Sequence, residues 1–288
     1  MIVSVVLCEG AHDIAFISKI LCANGCEEYK AKVNDYPYPI GEQIRNNYAK
    51  DSIGEKRIGN GPDSPYVPKA VYRKGEKLII FHNMNGDGDT KSRTELIEQY
   101  RKNCIALKMR GNPDNITAFE FYLFYDADDM GVTGRLVWIE NEFTEQNQLY
   151  LVKAKQAEKS QVPDIQDISG MVGTYIFHNP GDPEKKGTLE DQLLLLMQEE
   201  NSSVLGKAVD FLSENALSPE RTKEYDPRQD KYMGGKKYKF KKSQIAVAGQ
   251  LQFSGMNNSV IILKSDYIKQ KAILQDNECR KIAELILG

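Results

Sequence analysis

The chain has 288 residues, of which 41% are hydrophobic and 27% are charged, and its formal net charge is −3. Such a chain can build a sizeable core as one large domain or two ordinary ones, and it should fold without disulfide staples. A net charge so close to zero excludes attraction of a polyanion by the protein as a whole, so any binding of nucleic acid must come from a local patch.

The cysteines and the first apolar stretch indicate where the protein works. The five cysteines are an odd number and form no C-x-x-C pair, which is typical of reduced, mostly buried thiols in a cytoplasmic protein. Metal binding by Cys22 and Cys26 is the alternative. The apolar stretch at residues 2–8 has no basic residues before it and is interrupted at once by Glu9, and no segment approaches the length of a membrane span. We therefore expect a cytoplasmic protein that has no membrane partner.

The first strand and helix of the prediction leave an acid at a strand end. Residues 2–8 are almost wholly apolar and rich in valine, which favours a strand buried on both faces. From Asp13 the apolar residues recur at helical spacing until Gly25, which is a C-cap signal. Gly10 allows a tight turn between strand and helix, and Asp13 can cap the helix. Glu9 is thus left at the carboxyl end of a buried strand, where open α/β sheets bind their ligands.

The segment that follows reads as an insertion. Residues 28–75 show little periodicity and are interrupted by prolines and glycines, so we interpret them as a loop-rich excursion from the sheet. At its end, residues 70–73 and 77–81 are rich in strand-forming side chains and predict a hairpin. The sheet is therefore expected to continue from there.

A glycine-rich loop with two acids comes next. Asp87 and Asp89 flank a glycine just before a helix that is predicted over residues 91–109. Their spacing copies that of a paired-aspartate motif. Because acids are favoured at the start of a helix, capping explains the two residues better than a site does.

A second strand also ends in acids. Residues 118–125 are aromatic and strand-like, and they run into Asp126 and Asp128, which point to the same side if strand geometry persists. If this strand neighbours the first, these acids converge with Glu9, and each like-charge pair at about 4 Å costs roughly 4 kcal/mol. Such a cluster requires protonation or a cation. Oxygen ligands with little histidine or cysteine nearby favour Mg²⁺ or Mn²⁺ over zinc.

These motifs resemble a known family. Glu9-Gly10-x-x-Asp13 after one hydrophobic strand and Asp126-x-Asp128 after another are similar to the Toprim domain of bacterial primases, type IA and type II topoisomerases and OLD-family nucleases. The resemblance covers residues 1–138 and implies that the glutamate and the paired aspartates bind Mg²⁺ for strand cleavage or phosphoryl transfer. It also implies that Asp13 belongs to the metal shell. The two motifs lie further apart here than in the family, which agrees with an insertion between them.

A further acid belongs to the same resemblance. Residues 153–161 are interpreted as a polar linker or a short helix end, and residues 173–178 predict another strand. After it, the segment that contains Thr188 and Glu190 resembles one that OLD-family nucleases carry, where the glutamate joins the metal site. Acids in the first turn of a helix also complement its dipole, so a role for Glu190 as a helix-start acid stays open.

A basic segment lies near the end of the chain. Residues 231–242 combine six lysines with tyrosine and phenylalanine and contain no acid, a composition that suits contact with phosphates and stacking on bases. A solvated basic loop is the alternative. The candidate substrate-binding residues are Lys236, Lys237, Lys239 and Lys242, and Lys241 is the candidate that stabilises developing charge.

The predicted fold class is α/β, with a Toprim-like, largely parallel sheet flanked by helices, a loop-rich insertion and a C-terminal helical extension. Residues 1–180 would form the catalytic domain, and residues 181–288 would pack on it as the extension. Within the extension, residues 201–216 predict a helix, and residues 279–287 predict a closing helix.

The expected function is Mg²⁺-dependent or Mn²⁺-dependent cleavage of phosphodiester bonds in DNA or RNA. In that mechanism Glu9, Asp126 and Asp128 hold the metal, while Asp13 and Glu190 complete its shell. Nucleotidyl transfer of the primase type is one alternative. A catalytically silent module that binds nucleic acid or a partner, such as a separate ATPase, is another. A homodimer is also possible on this prediction.

Overall fold

The fold is given by a computed structural model, which describes residues 1–48, 54, 56–58, 64–143, 153–165, 168–215, 223–226, 231–234 and 239–288. The strands of the main sheet are β1 (Ile2–Cys8), β2 (Glu27–Glu28), β3 (Ala70–Lys74), β4 (Lys77–Asn83), β5 (Ala118–Asp126), β6 (Glu158–Ile165) and β7 (Ile168–Phe177). A separate hairpin is formed by β8 (Lys223–Asp226) and β9 (Lys231–Gly234).

The helices follow in chain order. They are α1 (Ala11–Ala23), α2 (Ile40–Asn47), α3 (Thr90–Arg110), α4 (Gly131–Phe143), α5 (Leu189–Asn215), α6 (Phe240–Gly249), α7 (Asn258–Lys264), α8 (Gln270–Gln275) and α9 (Asn277–Leu287), with a 3₁₀ turn at Val33–Asp35. Helix α5 kinks at Asn201, whose backbone is not helical. Within the described ranges, no helix is both long enough and apolar enough to cross a membrane.

The sheet is mixed, with a parallel centre and antiparallel edges. In the described part of the chain it has seven strands in the order β2-β3-β4-β1-β5-β7-β6. Strand β1 pairs in parallel with β4 and β5, and β5 pairs in parallel with β7. Strands β3 and β6 are antiparallel to their inner neighbours. The carboxyl ends of β4, β1 and β5 therefore meet at one edge of the sheet.

Helices cover both faces of the sheet because the central strands are apolar on both sides. On β1, Val3, Val5 and Leu7 pack in one core with α2, α3 and α4, while Val6 and Cys8 pack in a second core with α1 and the helices from α5 onward. The predicted α/β class with a largely parallel sheet, flanking helices and C-terminal helices is confirmed.

Two segments of the prediction can be compared with the structure. The strand predicted at residues 70–73, at the end of the insertion expected at residues 28–75, is β3 of the main sheet. Earlier in that segment, Ile40 and Ile44 of α2 lie in the core, so this part of the insertion packs on the sheet. Within the stretch 153–161, expected to be a polar linker or a short helix end, residues from Glu158 onward instead form the edge strand β6. An edge strand pairs on one side only, so polar residues suit it.

Candidate functional site

The candidate site lies at the edge where the parallel strands end. Glu9 follows β1, and its Oε2 accepts a hydrogen bond from the backbone N–H of Asp126 at the end of β5, at 3.2 Å. The backbone carbonyl of Glu9 accepts a hydrogen bond of 2.8 Å from the N–H of Gly86 in the loop after β4. The three strand ends are thus joined to one another directly.

A cleft of about 390 Å³ opens at this edge, and it has an acidic side and a basic side. The carboxylates of Glu9, Asp126, Asp128 and Glu190 line it together with Thr188, Phe240, Lys239, Lys241 and Lys242. The structure therefore brings Glu9, Asp126 and Asp128 together with Lys239, Lys241 and Lys242 of the basic segment. Lys236 and Lys237 lie outside the described residues.

Asp13 is buried behind the cleft. Gly10 is the N-cap of α1, and the Oδ2 of Asp13, three residues later, accepts a hydrogen bond of 2.7 Å from the N–H of Gly10. Asp13 therefore supports the turn from inside the first helical turn and is not itself the capping residue. Its side chain is 6% exposed. Burial, with the nearby charge of Glu9, raises the pKa of Asp13 to about 8.

Glu9 and Asp126, like Asp13, are buried close to other carboxylates, and their pKa values are raised. Burial raises the pKa of Asp126 well above its usual range, and the charges of Asp13 and Glu9 raise it further. Burial is also the main reason why the pKa of Glu9 is raised. The Oδ1 of Asp126 accepts a hydrogen bond of 2.7 Å from the N–H of Leu189 at the start of α5. In the described ranges no basic side chain forms an ion pair with Glu9, Asp13 or Asp126.

Glu190 faces the cleft, and its neighbour does the capping. Asp191 accepts a hydrogen bond of 3.0 Å from the N–H of Thr188, so the helix start is satisfied without Glu190. Glu190 instead lies 3.1 Å from Nδ1 of His12 and 3.4 Å from Nζ of Lys242. Burial opposes its ionisation, but the contact with His12 and the charge of Lys242 lower the pKa of Glu190 to about 2. Glu190 is therefore an ionised carboxylate with basic partners of its own.

Asp128 is paired with an arginine that the sequence did not reveal. Arg135 on α4 donates one hydrogen bond of 2.7 Å to Asp128 and another of 2.8 Å to Asp87, and its Nε donates to the carbonyl oxygen of Asp126 at 2.8 Å. Asp89 is the N-cap of α3 and accepts from the N–H of Ser92, as the capping interpretation predicted. For Asp87 that interpretation is wrong, because its side chain turns to Arg135 at the strand edge.

A second buried arginine supports this arrangement from behind. Arg93 on α3 is bonded through two of its nitrogens to Glu142, and it also donates to the backbone carbonyl of Asp87 at 2.6 Å. The guanidinium groups of Arg93 and Arg135 lie 5.6 and 5.2 Å from the ring centre of Trp138. The loop that carries Asp87 is therefore fixed both through its backbone and through its side chain.

The described lysines differ in their surroundings. Lys241 pairs with Asp191, and it also lines a neighbouring cleft of about 380 Å³ that contains Asp129. Lys242 is half-buried beside Glu190; burial opposes its charge, but the carboxylate of Glu190 raises the pKa of Lys242. Lys242 therefore lies nearer to the crowded acids than Lys241 does.

The side chains of the cleft can be compared with the ligands that a divalent ion requires. Within the described ranges, no three histidine, cysteine, aspartate or glutamate side chains form a ready-made metal cage. Mg²⁺ does not require one, since it keeps several of its waters and binds through one or two carboxylates together with substrate phosphates. Glu9 and Asp126 are adjacent oxygen donors that face the cleft. The set fits Mg²⁺ or Mn²⁺ held by two carboxylates, and a cation there would relieve their repulsion.

Two residues of the site could have been found from sequence signals. Asp87 follows a predicted strand, as Glu9 and Asp126 do, so its position at a strand end was visible. Arg135 occupies the inward helical stripe of α4 with Val132 and Ile139, where a charged residue is unusual. Which carboxylates Arg135 would meet depends on the strand order, which the sequence does not specify.

Comparison with known proteins defines the class of fold. No protein-family model matches the chain, and no curated protein matches it. Among solved structures, that of a hypothetical protein from Pyrococcus horikoshii OT3 is similar, with a TM-score of 0.51 and 16% sequence identity over 99% of this chain and 95% of that chain. At so low an identity the similarity shows the fold alone. The chain is an α/β protein with a mixed, mostly parallel sheet.

Proposed function

We propose that this protein is a Mg²⁺-dependent or Mn²⁺-dependent enzyme of the Toprim type that cleaves phosphodiester bonds in nucleic acid. The observation that carries the proposal is the cleft itself, in which carboxylates from two strand ends face lysines from α6 across about 390 Å³. Cleavage of a phosphodiester uses both the acidic and the basic side of such a cleft. The carboxylates provide a cation site, and the cation and the positive side chains together can hold and polarise the anionic phosphate. The order of the two motifs on neighbouring parallel strands supports the Toprim resemblance.

Glu9 and Asp126 are the carboxylates that would hold the ion. They are adjacent, they face the cleft, and no basic side chain among the described residues forms an ion pair with them. Asp13 lies behind them, buried at the turn between β1 and α1. When bound, Mg²⁺ or Mn²⁺ would supply Lewis-acid activation of the phosphate and of the attacking water. Asp128 and Glu190 already have basic partners, so they would shape the site from either side.

The basic side of the cleft would hold the substrate. Lys239 and Lys241 are exposed at the start of α6, where they can contact phosphates along the strand. Lys242 would stay beside Glu190 and offset the charge that develops on the reacting phosphate. Phe240 also lines the cleft and offers an aromatic surface for a base.

The test is cleavage by the purified protein of single-stranded and double-stranded DNA and of RNA, with Mg²⁺, with Mn²⁺ and with a chelator. We expect cleavage that depends on the metal and falls at least about 100-fold in Asp126→Asn, because a lost metal ligand or charge-stabilising group costs on that order. Glu199→Gln is the matched control, since Glu199 is an exposed acid on α5 away from the cleft.

Equal activity of Asp126→Asn and the parent would refute the assigned site. Absence of cleavage of all three substrates by folded, metal-saturated protein would refute the nuclease proposal. Primer extension with nucleoside triphosphates, run in parallel, distinguishes nucleotidyl transfer, which would use the same acids.

A further inference from the structure

The carboxylates at this edge of the sheet divide into two groups by their partners. Four of them have basic partners in the structure: Asp87 and Asp128 share Arg135, Glu190 has Lys242, and Asp191 has Lys241. Among the others, Glu9, Asp13 and Asp126 form no ion pair with any described basic side chain. The described basic side chains at this edge are therefore paired with Asp87, Asp128, Glu190 and Asp191, and Glu9 and Asp126 are left as the cleft carboxylates without an ion pair.

Arg135 is held more rigidly than an ordinary surface arginine. It is 1% exposed, all three of its nitrogens donate hydrogen bonds at this edge, and its guanidinium lies 5.2 Å from the ring centre of Trp138. Asp87 and Asp128, by contrast, are 44% and 49% exposed. The arginine thus reaches the two acids from the protein interior, while the acids themselves border the solvent.

We propose that Arg135 occupies the place of a second cation in the proposed site, so that the protein binds a single divalent ion at Glu9 and Asp126. A guanidinium that bridges two carboxylates neutralises charge where a second metal would otherwise bind, and its own charge repels a cation that approaches Asp87 or Asp128. Arg135 is a positioning residue in this scheme, since it acts through the acids and not on the substrate. The inference rests on the proposed cation site.

Arg93 and Glu142 hold in place the contact between Arg135 and Asp87. They form a buried ion pair against the same tryptophan, and Arg93 holds the backbone of the loop that carries Asp87. Asp87 therefore cannot leave Arg135 by a shift of its loop without breaking buried hydrogen bonds. The bridge between the β4 and β5 ends belongs to the resting structure of the site.

The experiment counts bound Mn²⁺ per chain by the loss of the free-ion signal in electron paramagnetic resonance. The parent protein is expected to bind one ion. Arg135→Gln frees both acids and is expected to bind two, whereas Arg135→Lys keeps a positive charge and is expected to bind one. The matched control is Arg280→Gln, the same substitution at an exposed arginine of α9 that does not line the cleft, and one ion is expected.

The outcomes separate the inference from the proposed function. Two ions in the parent, or one ion in folded Arg135→Gln, would overturn the inference and leave the cation site intact. No Mn²⁺ in either protein would overturn both. If Arg135→Gln does not fold, anomalous diffraction from parent crystals soaked in Mn²⁺ decides the matter: one peak beside Glu9 and Asp126, with Asp128 still bonded to Arg135, supports the inference, and a peak at Asp128 refutes it.

Discussion

Replacement of Asp13 by asparagine should stabilise the protein, and the gain should grow with pH. Asp13 is buried, and its carboxylate is crowded by Glu9 and has no ion-pair partner among the described residues. Asparagine has nearly the same shape, and its side-chain oxygen can still accept the hydrogen bond from Gly10. The substitution therefore removes the acid that must take up a proton on folding, and it keeps the turn.

The size of the effect follows from the pKa of Asp13, which is raised from 3.8 to about 8. Between these two pH values the folded chain keeps a proton that the unfolded chain releases, so the free energy of unfolding falls as the pH rises. The fall is at most about 1.4 kcal/mol per pH unit. From pH 5 to pH 8 the asparagine variant should therefore gain up to about 4 kcal/mol relative to the parent, and below about pH 4 the difference should vanish.

Urea unfolding at pH 5, 6, 7 and 8 in the presence of a chelator measures this difference. Fluorescence of Trp138, the single tryptophan, reports on unfolding. Asp210→Asn, at an exposed position of α5, is the control and should follow the parent at every pH. A difference between Asp13→Asn and the parent that changes by less than about 1 kcal/mol across this range would contradict the idea that a buried, protonated Asp13 adjoins the site.

Three further predictions concern the metal, the substrate and the loop. Mg²⁺ at ten times its dissociation constant should stabilise the parent by about 1.4 kcal/mol, or roughly 3 °C in the melting temperature, and Asp126→Asn should abolish that shift in a thermal melt. Lys239→Ala with Lys241→Ala should reduce the dependence of duplex binding on salt by a slope of up to about 0.9 per lost contact, and an unchanged slope in a binding titration would place the substrate elsewhere. Gly187→Ala should cost roughly 1 to 3 kcal/mol in urea unfolding, because Gly187 has φ +116° and an added Cβ would lie 2.7 Å from a carboxylate oxygen of Asp191.

The central strands could be predicted because their sequence signal is strong and local. An apolar run of seven residues that ends at an acid occurs at β1, and a longer aromatic run that ends at Asp126 occurs at β5. Burial on both faces leaves few alternatives for such runs. The sequence does not show that β1 and β5 are neighbours. The structure pairs them in parallel, with Ile2 opposite Ala118.

The polar elements could not be predicted in the same way. Strand β6 begins with Glu158 and Lys159, and only its antiparallel pairing with β7 makes it a strand. For residues 243–251 the sequence leaves helix and strand open, and the basic residues 240–242 belong to α6 (Phe240–Gly249), which packs against α5 and α7. Contacts far apart along the chain decide such segments, and local propensity does not.

The acids of the site were easier to predict than their partners. Glu9 and Asp126 stand at strand ends, and a strand end has a definite place in the sheet. Arg135 and His12 acquire their roles from contacts with residues that are distant in the sequence, such as the contact between His12 and Glu190 across 178 positions. A pattern within a short window contains no information about such pairs.

The position of β1 in the sheet has a consequence for synthesis on the ribosome. This strand is made before both of its partners, since Ile2 pairs with Lys77 and with Ala118, which follow 75 and 116 residues later. At roughly 5 to 20 residues per second, the apolar strand waits about 6 to 23 s for its second partner. Over that interval it is an unpaired hydrophobic segment, and it is the part of the nascent chain that we expect a chaperone to hold.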